Sequence, residues 1–375
     1  MAPPKATLWR RGDHTEGKHL VLQHYFEAWF PILGMGRRNQ RILFIDGFAG
    51  PGEYQGGEEG SPLVAMRVLS QHSSRSRIRA EVVFVFIEKD PTRAQHLERL
   101  VAGWTDKPPN AKPFVLTGSF SSRMSQVLDQ LDRQKQRMAP ALVMVDPFGI
   151  RDIPMHLMSR ILGNPQCEVY VTFMWESINR HLSTDEFAPH LTALFGTDTW
   201  KRAKNFAGEE RRRRLYALYK SQLKRAGAKQ VVHFHLFRRN RLKYSIFFGT
   251  GHTKGSDCMK RAIWKIDPFG EFSFRGGENE QIVLSGLAQP NFTPLRRALQ
   301  DRFSTDGWVP VKKVVEFVSS DATIYHSGQV KGVQKPGVLK PMEQQGLLRV
   351  KPQTRQRNFT YPDRCRIRFL PSSQP

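Results

Sequence analysis

Between residues 41 and 177 the chain repeats one theme five times: a short apolar run, a turn, then a segment with helical spacing. The runs are Ile42–Ile45, Glu81–Ile87, Pro113–Thr117, Ala141–Val145 and Glu168–Met174. Strands apolar at nearly every position are buried on both faces, so five such units predict a parallel sheet covered by helices on both sides. Two further apolar runs, Val231–Leu236 and Leu242–Phe248, are joined by a basic tip and predict an antiparallel hairpin at the sheet edge. The expected fold is α/β and Rossmann-like, mostly parallel, with an antiparallel edge hairpin.

In such sheets ligands bind beyond the carboxyl ends of the strands. The first strand runs into Asp46-Gly47-Phe48-Ala49-Gly50-Pro51-Gly52. Glycines there permit a close backbone approach and backbone angles closed to other residues. The spacing differs from the dinucleotide triplet G-x-G-x-x-G, which speaks against a nicotinamide-dependent dehydrogenase. Glu88 ends the second strand, where a carboxylate can accept both hydroxyls of a ribose, and Ser119 follows the third, in position to meet an adenine. Asp146-Pro147-Phe148-Gly149 ends the fourth, where a reacting group belongs: Asp146 could accept a hydrogen bond from an attacking amine, Pro147 stiffens the turn, and Phe148 could stack on an extruded base. Lys18-His19 opens the first predicted helix and could cover a bound cofactor.

Charge narrows the partner. Lysine and arginine number 58 against 34 acidic residues, a formal net charge of +24, the footprint of a nucleic-acid binder. The basic residues cluster at Arg211-Arg212-Arg213-Arg214, at a hairpin tip with Arg238, Arg239 and Arg241, and in a C-terminal segment with Lys351, Arg355 and Arg357. These are the candidate contacts to DNA or RNA. No run of about 18 apolar residues is present, so no membrane span is expected. The N-terminus lacks the apolar stretch of a secretory signal. Three cysteines, Cys167, Cys258 and Cys365, lie far apart and suggest neither a metal cluster nor a disulfide framework, which fits a cytoplasmic setting.

The chain divides into a polar N-terminus (residues 1–17) expected to be loose, an α/β domain (18–285), a boundary at Gly286–Pro290, and a C-terminal domain (290–370). The last reads as three helices, Pro294–Phe303, Val309–Ser319 and Val338–Gln345, then two strands flanking a basic loop. That order predicts a winged helix-turn-helix, a module that inserts a helix into the major groove.

Taken in order, several segments resemble a known family. The loop Asp46–Gly52 resembles the first motif of S-adenosylmethionine-dependent methyltransferases. Together with Trp29–Gly34, Gly56-Gly57, Gly60-Ser61-Pro62-Leu63, Asp146–Gly149, Gly249–His252 and Met259–Lys265, it is similar to the three-Cys-motif partner proteins, TcmP. The resemblance spans most of residues 18–370. It implies a class I methyltransferase fold, S-adenosylmethionine as cofactor and a partner bearing a three-cysteine motif, of radical S-adenosylmethionine type. A more distant similarity, to RlmJ-type ribosomal RNA adenine-N6 methyltransferases, rests on Lys18-His19, Asp46–Gly52, Gly60-Ser61-Pro62 and Asp146-Pro147-Phe148. That family carries two prolines where this chain has only Pro147. Two functions follow as expectations: a methyltransferase acting on nucleic acid, or an inactive adaptor of the same fold that presents nucleic acid to a partner enzyme.

Overall fold

The computed structural model describes residues 6–238, 241–267, 273–274, 290–332 and 337–370, which fall into two compact units. The first holds eight strands: β1 (Arg41–Asp46), β2 (Glu81–Glu88), β3 (Ala111–Thr117), β4 (Ala141–Val145), β5 (Cys167–Phe173), β6 (Gln230–Arg238), β7 (Arg241–Thr250) and the two-residue β8 (Ser273–Phe274). Their order in the sheet is β3-β2-β1-β4-β5-β7-β6-β8. β1 to β5 are mutually parallel, and β7 runs antiparallel between β5 and β6. This is the Rossmann-like class I arrangement, with the expected edge hairpin lodged between the parallel strands and β8.

Eight helices belong to this unit among the described residues: α1 (Asp13–Gly34), α2 (Ser61–Gln71), α3 (Pro91–Ala102), α4 (Phe120–Arg133), α5 (Met155–Leu162), α6 (Trp175–His181), α7 (Ala188–Phe195) and α8 (Gly208–Arg225). One face of the sheet packs against α4, α5, α7 and α8, through Met124, Leu157, Leu194 and Leu223. The other face takes α1, whose Phe26 stands edge-on to Phe44 of β1 and whose Phe30 meets Phe84 of β2. A buried carboxylate ties this layer together. Tyr25 donates to Glu168 Oε2 (2.6 Å) and Thr250 donates to Oε1 (2.7 Å), joining α1, β5 and β7. Burial raises the Glu168 carboxyl to about 6.

The N-terminus departs from expectation. α1 begins at Asp13, five residues before Lys18, and the segment ahead of it is placed: the Gln55 N–H donates to the Trp9 carbonyl (2.9 Å), and Trp9 sits edge-on to Tyr54. One indole in an otherwise polar stretch supplies enough apolar surface to hold it down.

The second unit begins at Thr253, inside the span assigned to the α/β domain by sequence. It contains α9 (Thr253–Ile266), α10 (Thr293–Phe303), β9 (Val309–Pro310), α11 (Val311–Ser319), α12 (Gly328–Lys331), α13 (Leu339–Gln344), β10 (Leu348–Val350) and β11 (Arg366–Phe369). Of the predicted boundary Gly286–Pro290, all but Pro290 lies outside the described residues. α9 joins this unit through buried polar contacts. Lys260 caps the end of α11, donating to the carbonyls of Val318 and Ser320, and Asp257 accepts from the N–H (2.6 Å) and hydroxyl (2.7 Å) of Ser327. Where a helix beginning at Val309 was expected, Val309 and Pro310 form a short strand, and the three strands pair antiparallel in the order β10-β11-β9.

Candidate functional site

β1 lies between β2 and β4, so strand order reverses at the β1/β4 junction. The crevice beyond those two carboxyl ends is the topological switch point, where α/β sheets hold ligands. The Asp46–Gly52 loop is fastened here on both sides. The Gly47 N–H donates to the Met144 carbonyl of β4 (2.9 Å) and the Ala49 N–H to the Ile87 carbonyl of β2 (2.9 Å). Gly50 (φ +62°) and Gly52 (φ +90°) occupy the left-handed region, and a Cβ on Gly47 would lie 2.3 Å from the Phe120 ring. These glycines are therefore required by backbone and packing.

The predicted site residues separate into two groups. Gly47, Phe48, Glu88, Ser119, Pro147 and Phe148 line a cleft of about 980 Å³. Glu88 is nearly buried; its Oε2 accepts from the Gly50 N–H (2.9 Å) and its Oε1 from the Asp90 N–H (2.8 Å). Each carboxylate oxygen retains a second acceptor position. Ser119 caps α4, its hydroxyl accepting from the Ser122 N–H (3.3 Å).

Lys18, His19, Asp46 and Asp146 are not among the cleft-lining residues and form a polar cluster in which the first three are buried and Asp146 is half-buried. The Lys18 ammonium donates to Asp146 Oδ2 at 2.5 Å and lies 4.9 Å over the Tyr244 ring. Burial raises the Asp146 carboxyl, but the charge and hydrogen bond of Lys18, with smaller help from Thr172 and His19, together hold the group below the usual carboxylate range. Asp46 is fully buried: Oδ1 accepts from the Phe48 N–H (3.1 Å) and Oδ2 from the Ser61 hydroxyl (2.6 Å). Burial pushes its carboxyl up to about 7, with the charges of Asp146 and Glu88 adding in the same direction. Burial, reinforced by Lys18, lowers His19 to about 3, so it is neutral, and its Nδ1 is buried without a hydrogen-bond partner.

Trp9 touches the cleft through Phe148 and approaches the polar cluster only by way of Tyr54, whose ring lies 6.2 Å from that of His19. The Trp9 ring lies edge-on to Phe148 (5.8 Å) and to Tyr54 (5.9 Å), 3.5 Å from where a Cβ on Gly50 would sit, with the Arg93 guanidinium 5.0 Å over it. Sequence reasoning passed over Trp9, for which a tryptophan in a polar N-terminal stretch was the available signal. The far wall of the cleft holds Arg180, a weaker candidate from the sequence, together with Arg151, His181 and Phe187, which the sequence did not single out. There His181 stacks on Phe187 with ring centroids 3.8 Å apart.

The basic candidates also divide. Arg212 pairs with Glu209, and Arg213 and Arg214 pair with Glu210 at 2.6 and 2.7 Å, so the first turn of α8 answers its own arginine run. Arg211 donates to the Phe206 carbonyl (2.6 Å) and to Asn179 (2.9 Å). Arg355 forms a fork on Glu343 (2.8 and 2.7 Å), which also accepts from the Tyr361 hydroxyl (2.6 Å). It braces its own loop instead of standing ready for a phosphate. Lys351 and Arg357 are exposed. Arg238 and Arg241 face each other in the β6–β7 register, and Arg239 lies outside the described residues. Among the described residues no cluster suited to a metal occurs, the three cysteines are free and buried, and no helix is long and apolar enough to cross a membrane.

No protein-family model matches the chain, and no curated protein sequence matches it. Solved structures align with it at low identity. A Legionella pneumophila protein is 12% identical, with 70% of this chain and 93% of that one covered and a TM-score of 0.40. An O-methyltransferase from Bacillus cereus, solved in complex with S-adenosylhomocysteine, is 14% identical over 64% and 83% of the two chains, TM-score 0.33. An S-adenosylmethionine-dependent methyltransferase from Agrobacterium tumefaciens is 12% identical over 63% and 62%, TM-score 0.34. The chain spans 41% of a larger Porphyromonas gingivalis protein. At these values the likeness carries no assignment of activity, and the site geometry has to supply it.

Proposed function

We infer that the chain binds S-adenosylmethionine at the switch point and transfers its methyl group to nucleic acid. One conjunction supports this above the rest: the Asp46–Gly52 loop and the Glu88 carboxylate flank the same cleft, at the ends of adjacent parallel strands. The donor set suits the cofactor. Glu88 can accept from the ribose diol, Gly118 and Ser119 line the wall beyond it, and Asp46, buried behind the loop, holds the loop in shape by accepting from the Phe48 N–H and the Ser61 hydroxyl. When bound, the cofactor would supply an electrophilic methyl on a cationic sulfur. The protein's part is to align an acceptor lone pair and to exclude water. Phe148 and Pro147 line the cleft and would stack on the acceptor base, while Trp9, against Phe148, would shut out solvent. Calorimetry with S-adenosylmethionine tests the site: Glu88→Ala should weaken binding at least about 10-fold, the loss of roughly one charge-assisted hydrogen bond. Unchanged binding in both Glu88→Ala and Asp46→Ala would end this assignment.

A second reading is favoured by one observation. Asp146 is held by Lys18 and is not among the cleft-lining residues, and its motif carries a single proline. On this reading the fold binds cofactor without transferring methyl and presents nucleic acid, through a winged-helix second unit, to a three-Cys-motif partner of the kind TcmP proteins are named for. Nucleoside mass spectrometry of cells with and without the chain separates the two: a modified nucleoside lost with the chain and restored by Asp146→Asn supports the adaptor, whereas failure of that rescue supports methyl transfer.

A further inference from the structure

The outer face of the β10-β11-β9 sheet concentrates charge without answering it. Along β10 and β11, Leu348, Ile367 and Phe369 point inward and are buried, so Arg349, Arg366 and Arg368 point outward and are exposed. The register sets Arg349 directly opposite Arg368. Like charges so placed repel across about 5 Å and destabilise the pair. Among the described residues no ion pair involves any of the three, in contrast with the arginines of α8. Residues two apart on one strand are about 6.6 Å apart, so the three arginines occupy neighbouring positions on one face of the sheet.

The loop joining the two strands leaves this face at Lys351, whose N–H donates to the Arg366 carbonyl (2.9 Å). It carries Phe359, which is 41% exposed and adopts φ +56°. A bulky residue in the left-handed region is a genuine outlier that the surrounding structure must hold in place. Here the cost is spent on displaying an apolar ring to solvent, with the Lys340 ammonium 5.5 Å over it and the exposed Arg357 two residues before it. A ring displayed at a strained position beside unanswered cations is what a stacking platform for nucleic-acid bases needs.

We propose that this surface is a nucleic-acid docking site in which Arg349, Arg366 and Arg368 contact the phosphate backbone and Phe359 stacks on an unpaired base. It takes up the nucleic-acid half of the proposed function and places the contact on the sheet face and loop tip. The choice of single-stranded or locally opened nucleic acid follows from Phe359, because a base must be unstacked to meet the ring. An acidic protein partner would use the arginines and leave the ring unexplained.

The test is fluorescence anisotropy of the full chain with labelled 20-nucleotide single-stranded DNA and RNA across a salt series. Arg349→Gln/Arg366→Gln/Arg368→Gln should flatten the dependence of log K on log salt by about 2, three lost phosphate contacts on a single strand. Phe359→Ala should weaken binding about 5- to 100-fold at every salt concentration with the slope unchanged, and Phe359→Trp should restore it. Arg302→Gln, exposed but paired with Asp306, should leave the slope unchanged. The proposal falls if the triple variant keeps the parental slope, if Phe359→Ala binds as the parent does, or if polyglutamate competes as well as the oligonucleotide. Thermal melts confirm that each variant is folded. S-adenosylmethionine affinity, measured in the same preparations, should be untouched, so failure here is distinguishable from failure of the cofactor site.

Discussion

The cluster behind the Asp46 loop and the outer face of the β10-β11-β9 sheet are both built from charged residues, under opposite rules. In the cluster, Lys18 answers Asp146 at 2.5 Å, and Asp46 accepts from a hydroxyl and a backbone N–H. On the sheet face, Arg349 stands opposite Arg368 with no carboxylate among the described residues paired to either. The difference is the solvent. A buried charge must be paired or neutralised, because desolvation costs far more than a surface ion pair returns. An exposed one can stay unanswered at a cost of tenths of a kcal/mol, ready for a partner that brings the opposite charge. The α8 arginines illustrate a third case, exposed and already paired, and so less eager for an external anion.

The contrast predicts an order of effects. Lys18→Met leaves the half-buried Asp146 carboxylate without its cation and should destabilise the protein most, by up to about 3 to 5 kcal/mol in urea unfolding. The double variant Lys18→Met/Asp146→Leu should recover most of that loss; if it does not, packing and not charge holds the cluster.

Asp46 comes next. Its carboxyl is at about 7 in the folded chain against 3.8 for an unperturbed aspartate. The unfolded chain loses this proton first, so stability is full below about pH 4, declines as pH rises, and levels off above about pH 7. The decline amounts to a few kcal/mol, up to about 4. Asp46→Asn should flatten that limb of the pH–stability profile and be more stable than the parent at pH 8. Parallel profiles for the two proteins would show that the group is already ionised in the folded state.

Trp9→Ala removes the ring that packs against Phe148 and Tyr54. It should cost less stability than Lys18→Met, because the segment it anchors has few other contacts, and it should weaken S-adenosylmethionine binding several-fold. A variant with parental affinity would show that the segment before α1 has no part in closing the cleft.

The smallest effects are expected at the surface. Arg368→Thr relieves the repulsion with Arg349 and should raise stability by about 0.2 to 0.5 kcal/mol while weakening nucleic-acid binding. Glu210→Gln, which frees two exposed arginines on α8, should leave the melting temperature unchanged. A large loss from either would break the distinction between buried and exposed charge on which the comparison rests.

The sequence was most legible where the signal is local. Five apolar runs of strand length, each ending in its own turn, specify a parallel sheet because only a doubly covered sheet buries residues at every position. The same logic placed Asp46, Glu88, Ser119 and Asp146 at strand ends; the sheet brings Glu88 and Ser119 to the cleft and leaves Asp46 and Asp146 off its lining. Runs of like charge were less informative. Arg211–Arg214 read as a free basic patch, yet the acids that answer them sit one helical turn away, at Glu209 and Glu210, and Arg355 is matched by Glu343 from α13. Counting charge along a chain does not reveal which charges are already satisfied.

What the linear order determined, then, was the fold and the addresses of the strand-end residues, because hydrophobic periodicity and turn chemistry act over a few residues. What tertiary structure alone decided was partnership. Lys18 meets Asp146 across 128 positions, Trp9 comes down on Phe148, α9 joins the second unit through Asp257 and Lys260, and Arg349 is set against Arg368 by strand register. Each depends on which surfaces close on one another, and burial then sets whether a charge must be neutralised in place or can be left for a ligand.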